Sequence, residues 1–218
     1  MATAWVEGPE PVSTSNYGPH ADQLIEFYGH TGPTVAMIHG GYWRAVHNRK
    51  HMRALASKIA DNGFQVANIE YRREPLTPRE TFEDVTTALK TLESIDSIIG
   101  FSVGGQIALL NADLAHKLIL LAPVTNLERT KAEQLGDGAV VEFFGTEDLH
   151  EFDPMNRSYS SHLYLIHGDS DQRVPITHSR DFVKAKGGSL MEISGGDHFD
   201  VIHPEGIAAE LILRTLSN

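Results

Sequence analysis

The 218 residues carry 18 Lys and Arg against 29 Asp and Glu, a formal charge of −11 with histidine neutral. There is no cysteine, which excludes a disulfide framework, a thiol nucleophile, a zinc ribbon and an iron–sulfur cluster together. Net acidity argues against nucleic acid and acidic membrane surfaces, both of which are held through Lys and Arg. The length suits one domain that folds on its hydrophobic core alone. The first 20 residues show no basic segment followed by an apolar one, and no apolar run nears the ~18 residues of a spanning helix. The expectation is a cytoplasmic protein.

In chain order, short apolar or β-branched runs alternate with longer helical patterns, the signature of parallel strands joined by crossover helices. Strands are expected over residues 23–28, 34–39, 65–71, 97–101, 117–121, 163–167 and 190–193. The first precedes the alternating units without a helix of its own and reads as an antiparallel edge strand, an edge on which two copies could pair as a homodimer. Val35-Ala36-Met37-Ile38 and Leu118-Ile119-Leu120-Leu121 are near-continuous apolar runs, as expected of strands covered on both faces. Helices are expected over 50–61, 81–92, 104–114, 177–185 and 205–216. Asp61-Asn62-Gly63 and Lys186-Gly187-Gly188 supply glycine stops for the first and fourth of these. Residues 126–161 break the rhythm with acidic residues, glycines and aromatics, and read as a short insertion capping the site. The expected architecture is a doubly wound, mostly parallel α/β sheet in a single domain, with that small cap.

Four segments carry chemistry. His39-Gly40-Gly41-Tyr42-Trp43 ends an apolar strand run, and a Gly-Gly turn can offer main-chain N–H groups to the oxygen of a tetrahedral intermediate. Gly41, Tyr42 and Val103 are the expected donors. Gly100-Phe101-Ser102-Val103-Gly104 lies between a strand pattern and a helical one, where a nucleophilic serine would be aimed at a helix N-terminus. His167-Gly168-Asp169-Ser170-Asp171 follows another strand. Asp171 is the expected acid, with Asp169 and Asp197 as rivals suited to closing turns. Gly195-Gly196-Asp197-His198-Phe199 follows the last strand and puts His198 on a loop able to reach Ser102. Ser, Asp, His is the chain order of a nucleophile-elbow triad.

These motifs together resemble the α/β-hydrolases. His39 to Trp43 resembles in particular the kynurenine formamidase (arylformamidase) branch, close to the hormone-sensitive-lipase-like esterases. Tyr71-Arg72-Arg73-Glu74-Pro75 and Tyr17-Gly18-Pro19 are similar to further segments of those relatives, so the likeness spans roughly residues 17–203. Those relatives commonly carry His and Ala around the nucleophile, where this chain has Phe101 and Val103. The resemblance implies a serine hydrolase without cofactor or metal, with Ser102, His198 and Asp171 as the triad. Its substrate would be a small acyl compound, an aryl formamide such as N-formylkynurenine or a short-chain carboxylic ester. A general carboxylesterase or small peptidase-like hydrolase is the alternative of the same fold, and a non-catalytic ligand-binding protein the alternative of another class. Tyr42, Phe143 and Phe144 are candidates for substrate contact. Arg72 is expected to pair with Glu70 or Asp84, and Arg73 to be solvated. A metal site is weighed at His47 with His51, and at His198, Asp200 and His203; neither gives three clear ligands in a closed geometry.

Overall fold

A computed structural model describes residues 5–218. Eight strands form one sheet in the order β1-β2-β4-β3-β5-β6-β7-β8. They are β1 (Ser13–Asn16), β2 (Leu24–Tyr28), β3 (Thr34–Ile38), β4 (Gln65–Ile69), β5 (Ser97–Phe101), β6 (Lys117–Leu121), β7 (His162–Gly168) and β8 (Ser189–Ile193). β1 and β2 run antiparallel to their neighbours, and every pairing from β4 through β8 is parallel. The expected mostly parallel sheet is thus present.

Helices α1 (Arg53–Ala60), α2 (Pro78–Lys90), α3 (Val103–Leu110), α4 (Leu127–Ala132), α5 (Leu135–Phe144), α6 (Thr177–Lys186) and α7 (Ile207–Leu216) cover both faces. Strand residues alternate between two cores. Ala36, Ile38, Ile98 and Leu120 pack with α2, α3, α5 and α6 on one face. Val35, Met37, Ile99 and Ile119 pack with α1 and α7 on the other. Double coverage explains why the central strands read as unbroken apolar runs.

Two expectations are corrected. The strand over 24–28 is antiparallel but internal, because the short β1 pairs outside it. Residues 126–161 are the connection between the parallel neighbours β6 and β7, a link that needs a crossover of a dozen or more residues. They hold α4 and α5 and contribute no residue to the lining of the cavity at Ser102. Arg73 is buried rather than solvated, against Glu70. Arg72 does pair with Asp84, at 2.7 Å.

The chain leaves β3 for β4 on one side and then crosses to β5 on the other. Loops after β3 and β5 therefore diverge at the carboxyl ends of adjacent strands, the place where open α/β sheets form their crevices. His39 and Ser102 begin those two loops.

Candidate active site

Ser102 joins β5 to α3 at φ 55, ψ −118, a region that non-glycine residues occupy at a cost of ~1–3 kcal/mol and that concentrates at functional sites. Its neighbours make the bend possible. A Cβ at residue 104 would lie 2.2 Å from the Ile38 carbonyl oxygen, and one at residue 100 would lie 2.4 Å from the Gly104 oxygen. The turn is fixed by the Ser102 N–H donating to the Leu121 carbonyl at 2.8 Å and by the Ser102 carbonyl accepting from Val124 at 3.0 Å. The side chain is 1 % exposed and stands at the start of α3.

His198, on the loop after β8, brings Nε2 to 3.1 Å from Ser102 Oγ and Nδ1 to 2.6 Å from Asp171 Oδ2. Asp171 Oδ1 accepts from the N–H groups of Arg173 at 2.8 Å and Val174 at 3.0 Å. Burial alone would raise the Asp171 carboxyl. Hydrogen bonds from His167 and His198, with those main-chain donors, hold it well below the ordinary carboxylate range. His167 Nε2 faces two acceptors, Asp171 Oδ2 at 3.2 Å and the Val174 carbonyl at 2.9 Å, so that nitrogen carries the hydrogen. His167 Nδ1 lies 2.7 Å from Ser179 Oγ. The structure thus brings Ser102, His198 and Asp171 together. Asp169 instead accepts from the Gly195 N–H, and Asp197 from Phe199 and Asp200; both close turns.

The loop after β3 has three successive positive φ values, 119 at Gly41, 51 at Tyr42 and 56 at Trp43. Side-chain anchors hold this strained path. The Tyr42 hydroxyl donates to the Arg173 carbonyl at 2.7 Å. Trp43 stacks on Phe143 with centroids 5.3 Å apart and meets Phe144 edge-on at 5.2 Å. Arg44 donates to the Gly136 carbonyl and pairs with Glu142. Among the described residues, the main-chain N–H groups of Gly41, Tyr42 and Val103 donate to no protein acceptor. Tyr42 lines the cavity, but Phe143 and Phe144 do not. Both phenylalanines are buried, 2 % and 1 % exposed, because the Trp43 indole and the core take up their faces. They stand behind the loop as a buttress for Trp43.

His39 begins the same loop fully buried, its ring stacked 4.4 Å from Tyr71. Its Nε2 lies 2.9 Å from Glu70 Oε1 and its Nδ1 2.8 Å from the Gly40 carbonyl. Glu70 also meets Arg73 and accepts from the Arg49 N–H at 3.2 Å. Burial would raise this carboxyl, yet the surrounding His39 and Arg73 charges and hydrogen bonds push it well down. Glu70→Ala is expected to cost ~3–5 kcal/mol, because it leaves Arg73 buried without a counter-charge; the midpoint of urea unfolding checks it.

The cavity beside Ser102 measures about 130 Å³ and is walled by Trp5, Gly41, Tyr42, His47, His51, Phe101, Arg173, His198 and Phe199. Sequence reasoning missed Trp5, Arg173 and Phe199 as lining, and weighed His47 and His51 only as metal ligands. Their rings instead meet edge-on, centroids 5.4 Å apart, with Trp5 3.9 Å from His51. Among the described residues, no group of three or more His, Asp or Glu side chains is arranged to hold a metal ion. Burial, reinforced by His39 and His47, pushes His51 from 6.5 down to about 4. Between those values the unfolded chain binds a proton there that the folded chain refuses, so acid favours unfolding. This contribution is complete above pH 6.5 and lost as pH falls towards 4. His51→Phe is expected to lose less stability than the parent between pH 7 and 5, as read by urea unfolding at each pH.

A doubly covered, mostly parallel sheet with a strained serine between strand and helix defines an α/β-hydrolase fold. The BD-FAE family model matches residues 27–163, and the chain belongs to that family. Comparison with curated proteins returns no match. Among solved structures, the chain is similar to esterase B from Lactobacillus rhamnosis, solved with a tributyrin phosphonate. They share 19% identity and a TM-score of 0.78, over 96% of this chain and 87% of that one. It is also similar to a carbohydrate esterase from gut microbiota, with 15% identity and TM-score 0.78 over 96% and 98% of the two chains. Thermogutta terrifontis esterase 2, solved phosphoramylated by tabun, gives 18% identity and TM-score 0.77 over 94% and 93%. No helix among the described residues is long and apolar enough to cross a membrane.

Proposed function

We propose that the protein is a serine hydrolase that cleaves esters of small acyl groups through an acyl-enzyme. The observation that carries this reading is the unbroken relay from Ser102 Oγ through His198 to Asp171, with spacings of 3.1 and 2.6 Å. His198 Nε2 takes the Ser102 proton as Oγ bonds to the carbonyl carbon. The oxygen that becomes negative is held by the free N–H groups of Gly41, Tyr42 and Val103; one such donor is worth ~10²–10³ in turnover. The tetrahedral intermediate then expels the alcohol, which leaves with the proton from His198. Water, deprotonated by His198, attacks the acyl-Ser102 carbonyl and releases the carboxylic acid and free serine.

Cavity size supports a small acyl group, since about 130 Å³ is slightly less than the roughly 150 Å³ that holds a benzene ring. Similarity to esterases that react with phosphonate, sarin or tabun supports the ester reading further. An aryl formamide is the second reading, favoured by the likeness of His39 to Trp43 to the arylformamidases. The rings of Trp5, Tyr42, Phe101 and Phe199 also offer faces for a flat aryl group. The test compares kcat/KM for 4-nitrophenyl acetate and butyrate with that for N-formylkynurenine. Faster ester cleavage is expected. A tenfold formamide preference, about 1.4 kcal/mol in transition-state binding, favours the second reading, and hydrolysis of none defeats both.

A further inference from the structure

Arg173 differs from the paired arginines around the site. Arg44, Arg49, Arg72 and Arg73 each meet an acid. Among the described residues, no acid forms a salt bridge with the exposed Arg173 side chain. Its guanidinium instead lies over the Phe199 ring, 5.2 Å from the centroid, at the rim of the Ser102 cavity. The acids nearby are committed. Asp171 is bound to His198, and Asp197 accepts from the Phe199 and Asp200 N–H groups.

Arg173 and His198 also line a second, adjoining depression with Ser170, Gln172, Asp197 and Phe199. That position has a chemical meaning. The group that receives the proton from His198 is the departing alcohol, so the alcohol must lie on the His198 side of Ser102. His198 walls the second depression too, and shares it with Arg173 and Phe199. A guanidinium there presents several N–H donors in a fixed fork that matches a carboxylate.

From these observations, and resting on the hydrolase reading above, we infer that Arg173 is a specificity-determining residue selecting substrates whose leaving group carries a carboxylate. The Arg173 main chain braces Asp171 and Tyr42, whereas the side chain is free to act on the substrate. Changing only the side chain therefore leaves both braces in place.

The experiment measures kcat/KM for 4-acetoxybenzoate and for its uncharged counterpart 4-acetoxybenzamide, in the parent and in Arg173→Gln. Taking the ratio within each protein, then comparing proteins, cancels the intrinsic reactivity of the two esters. The acid-to-amide ratio is expected to fall on the order of tenfold in the variant, the scale of one charge-assisted hydrogen bond. Added salt should erode the preference in the parent. An unchanged ratio overturns the inference, because the arginine then only packs on Phe199. A second arm needs no catalysis: 4-hydroxybenzoate and 4-hydroxybenzamide are titrated calorimetrically into Ser102→Ala, with and without Arg173→Gln. Selective weakening of the acid supports the anion site, and equal affinities refute it. If neither ester is cleaved by the parent, the ester reading fails while the binding arm still decides the role of Arg173.

Discussion

Ser102→Ala is expected to lower ester turnover by on the order of 10⁴-fold or more while leaving the melting temperature nearly unchanged. The alanine removes only Oγ, so no covalent acyl intermediate can form. Free N–H groups and the cavity would still bind substrate and sustain weak residual catalysis, as when a triad member is deleted elsewhere. Stability should hold because the backbone bonds of residue 102, to Leu121 and from Val124, do not involve the side chain. Alanine also inherits the strained φ of 55, so no relief of strain is expected. Stopped assays with 4-nitrophenyl butyrate, alongside thermal unfolding, read both quantities. Retained turnover would remove Ser102 from the chemistry.

Asp171→Asn is expected to cost turnover on the order of 10⁴-fold, by reversing the hydrogen-bond sense of the relay. The amide oxygen can still accept from Arg173 and Val174, which bond Oδ1. Its NH₂ group then occupies the place of Oδ2, 2.6 Å from His198 Nδ1. A donor there makes Nδ1 the acceptor and moves the imidazole hydrogen to Nε2, facing Ser102. The ring can no longer take the serine proton. The NH₂ would also oppose the His167 Nε2–H, which keeps the Val174 carbonyl as acceptor at 2.9 Å. The loss should therefore appear in kcat, with substrate affinity little changed. A loss confined to KM would contradict this account of the acid.

Particular residues show what could be read from the sequence. The Ser102 turn was legible because an apolar strand run, two glycines and a helical run are all local. Asp171 could be separated from Asp169 and Asp197 only by distance, since each lies within a turn of similar composition. β1 was hidden because Ser13-Thr14-Ser15-Asn16 is exposed at every position and carries no apolar alternation. α5 was hidden because Gly136, Asp137 and Gly138 take positive φ values, which breaks helical periodicity. Arg73 looked solvated because burial of a cation depends on partners, and Glu70 and His39 converge on it only after β3 and β4 pair. Trp5 reaches the cavity from the start of the described chain, more than ninety positions before Ser102, with no local pattern to announce it.

The most direct measurement treats the protein with a fluorophosphonate and maps the added mass by peptide sequencing. A single adduct on Ser102 is expected, lost when His198 is replaced by alanine. An unmodified Ser102, or equal labelling without His198, would contradict an activated serine at the head of this sheet.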